Sequence, residues 1–140
     1  MSRAVEAREH ARQQAQAHLQ SIVELMTAIE SARLGGLVLY GNEWLSFDKL
    51  EERAHELPLS ALVRSCWSEP GGQLTPAEYE ILLCTGGPAV RIRGDLSELA
   101  EPASARLEAQ DWFVSWEAQP TTTGEDWALA EFASLFWFGG

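Results

Sequence analysis

The stretch YEILLCTGGPAVRIRG, residues 79–94, decides the fold. Tyr79, Ile81 and Leu83 alternate with Glu80 and Leu82, so they can share one face of a strand. Gly86-Gly87 supplies a tight turn, and Val90 and Ile92 then meet that face across a hairpin. Working outward, Ser60 to Trp67 reads as a strand, PGGQLTPAE as a loop, and Ala105 to Trp116, beyond the polar stretch Asp95 to Pro102, as a further strand. The expectation is a three- to four-stranded antiparallel sheet.

Helical patterns flank this sheet. Residues Arg3 to Arg33 contain neither Gly nor Pro and are rich in Ala, Gln, Glu and Arg, which predicts one long helix. Leu19, Ile22, Val23, Met26 and Ile29 form a stripe, whereas the first half offers only Ala4, Ala7, Ala11 and Ala15 and has little to bury. Gly35-Gly36 ends the helix. An apolar run, Leu37 to Tyr40, leads to a turn at Gly41-Asn42. SFDKLEERAHEL, residues 46–57, reads as a short helix capped by Ser46 or Asp48 and stopped by Pro58. TTTGED opens a last helix with Thr123 and Asp126 as a near capping box and Leu129, Phe132 and Phe136 as its apolar face. Helices and strands fall in separate runs, which favours α+β. Residues 1–34 form a helical arm or the first helix of the domain, and 35–140 an acidic α+β globular domain.

With 140 residues and 46% apolar content the chain suits a single core. Its net charge is −11, with 21 carboxylates against 10 basic residues and Lys49 as the sole lysine, which disfavours direct contact with nucleic acid. Cys66 and Cys84 form no disulfide framework or zinc motif and read as buried thiols, and no metal or cofactor is expected. The opening MSRAVEAREHARQQAQ lacks the apolar run of a signal peptide. No stretch approaches the roughly 20 apolar residues of a membrane span, so no membrane partner is expected and the expected compartment is the cytoplasm.

The charge is unevenly placed. Residues 1–34 carry four Glu and four Arg, while from Asp95 onward nine carboxylates face the single Arg106. If Asp95, Glu98, Glu101, Glu108, Asp111, Glu117, Glu125, Asp126 and Glu131 share a face, they make a field that attracts a basic groove; otherwise they solvate the surface. Among them stands QDWFVSWE, in which Trp112 and Trp116 share a strand face with Val114, opposite Phe113. The candidate partner-binding set is therefore Asp95, Glu98, Glu101, Glu108, Asp111, Trp112, Trp116 and Glu117.

Two alternatives were open to the same residues. A Gly pair after a strand, with Arg91 and Arg93 nearby and Cys84 as a thiol, could serve a small enzyme. No GxGxxG or GKS follows, however, and His10, His18 and His55 all lie in predicted helices, so a plain hairpin is the simpler account and no catalytic residue is expected. The Ala-rich first helix could build a structural or regulatory homodimer.

YEILLCTGGPAVRIRGDL, QDWFVSWE and the closing FWFGG resemble small acidic uncharacterised proteins of bacterial phages, plasmids and integrative elements, over about residues 58–139. That resemblance implies no catalytic residues. It implies an anti-defence factor of anti-CRISPR type in a bacterial host, whose partner is a host protein or complex with a basic groove, such as a CRISPR effector.

Overall fold

A computed structural model of the chain describes residues 2–139, so Gly140 of the closing aromatic stretch lies outside it. The order is α1 (Arg3–Ala32), β1 (Val38–Tyr40), β2 (Glu43–Leu45), α2 (Phe47–Glu56), β3 (Ser60–Ser65), β4 (Pro76–Cys84), β5 (Ala89–Asp95), β6 (Arg106–Asp111), β7 (Val114–Ala118) and α3 (Thr123–Ala133). The α+β class holds, but the strand count is larger than expected. Strands β3 to β7 form a five-stranded antiparallel meander in sequence order, and β1 and β2 form a separate two-stranded sheet.

Both extra features come from short turns. Gly41 and Asn42 take φ of 58° and 66°, the left-handed pair that a two-residue hairpin loop requires, so the apolar run before them becomes β1 and Glu43–Leu45 pairs back onto it. The single strand expected over Ala105 to Trp116 is likewise two strands, with Trp112 and Phe113 as the turn between β6 and β7. Nothing in WF announces a turn by composition.

Helix α1 spans the layer above the meander. It lies against β5, β6 and β7 and also touches α2, α3 and β1. Its stripe is longer than the large residues suggest: Ala7, Ala11 and Ala15 are buried together with Leu19, Ile22, Leu25, Met26 and Ile29. The first half of the helix is therefore packed and not projecting, although it buries only those three methyl groups where the second half buries larger side chains. Ser2 caps α1, its side chain accepting from the Val5 amide at 3.2 Å.

Ser46 caps α2, through the Lys49 amide at 3.4 Å. The box that starts α3 lies one residue earlier than expected. Thr122 Oγ1 accepts from the Glu125 amide at 3.3 Å, and Glu125 accepts from the Thr122 amide at 2.9 Å. Helix α3 buries Ala128, Leu129, Phe132 and Ala133 against α1 and β6.

The core lies between this helical layer and one sheet face, formed by Tyr79, Ile81, Leu83, Val90, Ile92, Leu107 and Ala109. Phe138 closes it, its ring 4.9 Å from that of Tyr79. Gly94 is needed where Tyr79 crosses β5, since a Cβ there would overlap the Tyr79 ring and the Ser104 carbonyl. That carbonyl accepts from the Tyr79 hydroxyl at 2.5 Å, and burial raises the Tyr79 pKa strongly. No helix among the described residues is long and apolar enough to cross a membrane.

Candidate functional site

The face of the meander turned away from the helices carries a ladder of charge. Strand pairing sets Arg64 beside Glu78, Leu62 beside Glu80, and Arg91 between Leu82 and Glu108. The Arg91 guanidinium donates from Nη1 to Glu80 at 2.8 Å and from Nε to Glu108 at 2.7 Å, and lies 4.0 Å over the Trp116 ring. Arg64 donates to Glu78, from Nε at 2.6 Å, and Arg93 reaches the other Glu78 oxygen at 3.4 Å. The hydrogen bond from Arg64 is the main reason the Glu78 carboxyl is held below its ordinary range.

The eight residues proposed as one partner-binding surface are distributed over several. Glu108 and Trp116 lie half-buried on the open sheet face, both against Arg91. Asp111 and Glu117 point to the opposite side, toward α1. The Asp111 side chain is only 7% exposed, 3.8 Å from His10 Nδ1, and Glu117 accepts from Arg8 at 2.9 Å. Trp112 stands at the tip of the β6–β7 turn, 79% exposed beside Phe113 at 57%. Asp95, Glu98 and Glu101 face solvent at the end of β5 and on the connection to β6, which is shaped by Ser97 Oγ accepting from the Leu99 and Glu101 amides.

Alternation along β6 separates Glu108 from Asp111, and two further facts complete the division. Trp112 belongs to a turn and not to a strand, so strand alternation does not apply to it. A bulge then intervenes in β7: Asp111 pairs with Val114 but Ala109 with Glu117, so one extra residue lies between. Val114 therefore points into the core while Trp116 points to the open face, against the expectation that they share a side.

Cys66 is exposed, contrary to its reading as a buried thiol, and Cys84 is half-buried. Burial pushes the Cys84 thiol pKa up, the opposite of what activates a nucleophile. Its Sγ lies 3.6 Å from the Pro88 carbonyl. His55 Nε2 donates to the Leu135 carbonyl at 2.7 Å, and burial lowers the His18 pKa. Among the described residues no group of three or more His, Cys, Asp or Glu could hold a metal.

Sequence reasoning passed over other exposed apolar residues. Leu39 and Trp44 pair across β1 and β2, and with Leu37 they make an uncovered outer face, 55–64% exposed, while Val38, Tyr40 and Leu45 pack inward. The signal was present in LVLY, which is apolar at both parities. Trp67 is fully exposed and Trp137 82% exposed. Comparison of the chain with protein-family models, curated proteins and solved structures finds no match.

Proposed function

We propose that this protein is a non-enzymatic interaction factor that binds another protein, one with a basic surface, through tryptophans left in solvent among carboxylates. The observation that supports this reading is the state of the tryptophans. Five of the six are exposed, Trp44, Trp67, Trp112 and Trp137 more than half so. A buried Trp removes some 150–250 Å² from water, worth several kcal/mol at about 25 cal/mol/Å². Leaving five outside forgoes that stabilisation unless a partner recovers it, and Trp anchors are the residues that dominate interfaces. The net charge of −11 sets the sign of the partner.

The finer form of the proposal is a mobile-element inhibitor that competes with nucleic acid for a basic groove of a host defence complex, a CRISPR effector being the most concrete case. Because Glu108 and Asp111 are largely buried and Glu117 is paired with Arg8, its electrostatic part rests on Asp95, Glu98 and Glu101.

The test is retention of a purified CRISPR effector on the immobilised chain, with and without its guide RNA. Expected is retention that falls at least about tenfold between about 0.05 and 0.5 M salt. Retention should also fall in Trp112→Ser with Phe113→Ser, and in Glu98→Lys with Glu101→Lys. No retention removes the anti-CRISPR form. Retention untouched by salt and by both double variants removes the binding surface itself.

A further inference from the structure

We infer that the free edge of β3 is a self-association site, where a second copy of this chain adds its own β3 antiparallel and joins the two five-stranded sheets into one. This surface is separate from the Trp112 turn, so pairing of two copies does not depend on what other partner the chain binds.

Main-chain directions come first. The Leu96 amide donates to the Ala77 carbonyl at 2.8 Å, so Ala77 turns its carbonyl toward the β5 side. Alternation turns Tyr79 and Ile81 the same way, and Glu78, Glu80 and Leu82 toward β3. Their register partners Arg64, Leu62 and Ser60 thus use their amides and carbonyls within the sheet. Those of Ala61 and Val63 point outward, where no further strand lies among the described residues. The other edge is guarded: β7 carries the bulge and Glu117, both devices that discourage edge pairing. Between Ser60 and Arg64, β3 has no bulge, and its one charge, Arg64, is engaged by Glu78.

The side chains identify the occupant as a second copy. A two-fold axis through Leu62, perpendicular to the sheet, sets Leu62 against the partner's Leu62 and Ala61 against the partner's Val63. It also sets Arg64 against the partner's Ser60, so no like charges are opposed. The Ala61 and Val63 pairs exchange about four main-chain hydrogen bonds, and the open and helix-covered faces each continue across the joint. Leu62 and Val63 are 57% and 47% exposed, so each lacks apolar cover that its counterpart can supply. Beyond the strand ends the same register carries the fully exposed Trp67 toward the partner's Leu57.

Charge points the same way. Two copies at −11 each repel, and the stretch Ser60 to Trp67 holds no carboxylate, its one charged residue being Arg64, already bound to Glu78. It is an edge at which two copies meet without opposing their acidic surfaces. Salt therefore strengthens this association, whereas it weakens binding to a basic partner.

The test is sedimentation equilibrium of the purified full chain under reducing conditions, at low and high salt. Expected is twice the mass of one chain at about 0.1 mM, with dissociation rising at least about tenfold in Leu62→Lys, which loses the Leu pair and opposes two ammonium groups. Leu62 is exposed, so the variant should fold, which circular dichroism checks. In a Cys66→Ser background, Leu62→Cys should cross-link on mild oxidation, because opposed residues of a non-hydrogen-bonded pair stand about 4.5 Å apart at Cα, within disulfide reach. A chain that stays monomeric at high salt overturns the proposal. So does a dimer indifferent to Leu62→Lys, or an absence of cross-linking at Leu62→Cys.

Discussion

Replacing Ala15 with leucine separates a helix that packs from a helix that projects. Ala15 is wholly buried on the side of α1 that meets β6, in line with Ala11 at 3% exposure. Leucine adds three carbons to a side chain with no exposed surface, inside the core cluster. Overpacking of this kind costs about 1–3 kcal/mol. Unfolding entropy near 2.1 cal/mol/K per residue gives roughly 0.3 kcal/mol/K for a chain of 140 residues. The expected fall in Tm is therefore about 3–10 °C, read by far-ultraviolet circular dichroism on heating. Ala17→Leu is the control, because Ala17 is exposed on the same helix; its change should stay within about 0.5 kcal/mol, or 2 °C. Equal Tm values for the two variants, or a rise for Ala15→Leu, would refute packing of the first half of α1, since an exposed helix gains from or ignores the exchange.

Three further outcomes follow from the same geometry. Arg91→Ala leaves Glu80 and Glu108 facing each other without their shared cation and uncovers Trp116. It should lower stability by about 2 kcal/mol in urea unfolding, and Arg91→Lys should recover only part of that, having one ammonium for two carboxylates. Gly94→Ala sets a methyl against the Ser104 carbonyl and the Tyr79 ring and should cost about 3 kcal/mol by the same measurement, whereas Gly87→Ala, with open space around it, should cost far less. His18 has a folded pKa below its ordinary value of about 6.5, so the unfolded chain binds the proton more readily and stability falls as pH drops through that value. His18→Leu should flatten that slope between pH about 7 and 5; an unchanged slope would assign it to other groups.

Much of the architecture was legible in local patterns. The alternation of Tyr79, Ile81 and Leu83 against Val90 and Ile92 is the β4–β5 hairpin, and the Gly-free run from Arg3 is α1. Ser46 before an amphipathic segment is the α2 cap. What escaped were features set by neighbours. Trp112-Phe113 turns the chain because β6 and β7 need to pair, not because the dipeptide favours a turn, and the alanines of α1 gain their weight only against a sheet. The candidate surface was less legible still. It rested on carboxylates close in sequence sharing a face, whereas alternation along β6 sends Glu108 and Asp111 to opposite sides and the bulge in β7 puts Glu117 with Asp111.

The sequence by itself determined the class of the fold, the places of its three helices and of the β4–β5 hairpin, the acidity of the chain and the concentration of that acidity after Asp95, because composition, period and capping act over a few residues. The tertiary structure alone decided which charges remain free and which apolar side chains meet solvent. Arg8 reaches Glu117 across 109 positions, and Arg91 gathers Glu80, Glu108 and Trp116 from three other strands. Neutralisation and burial depend on distance in space, and only the register of the meander brings those residues within a few ångströms.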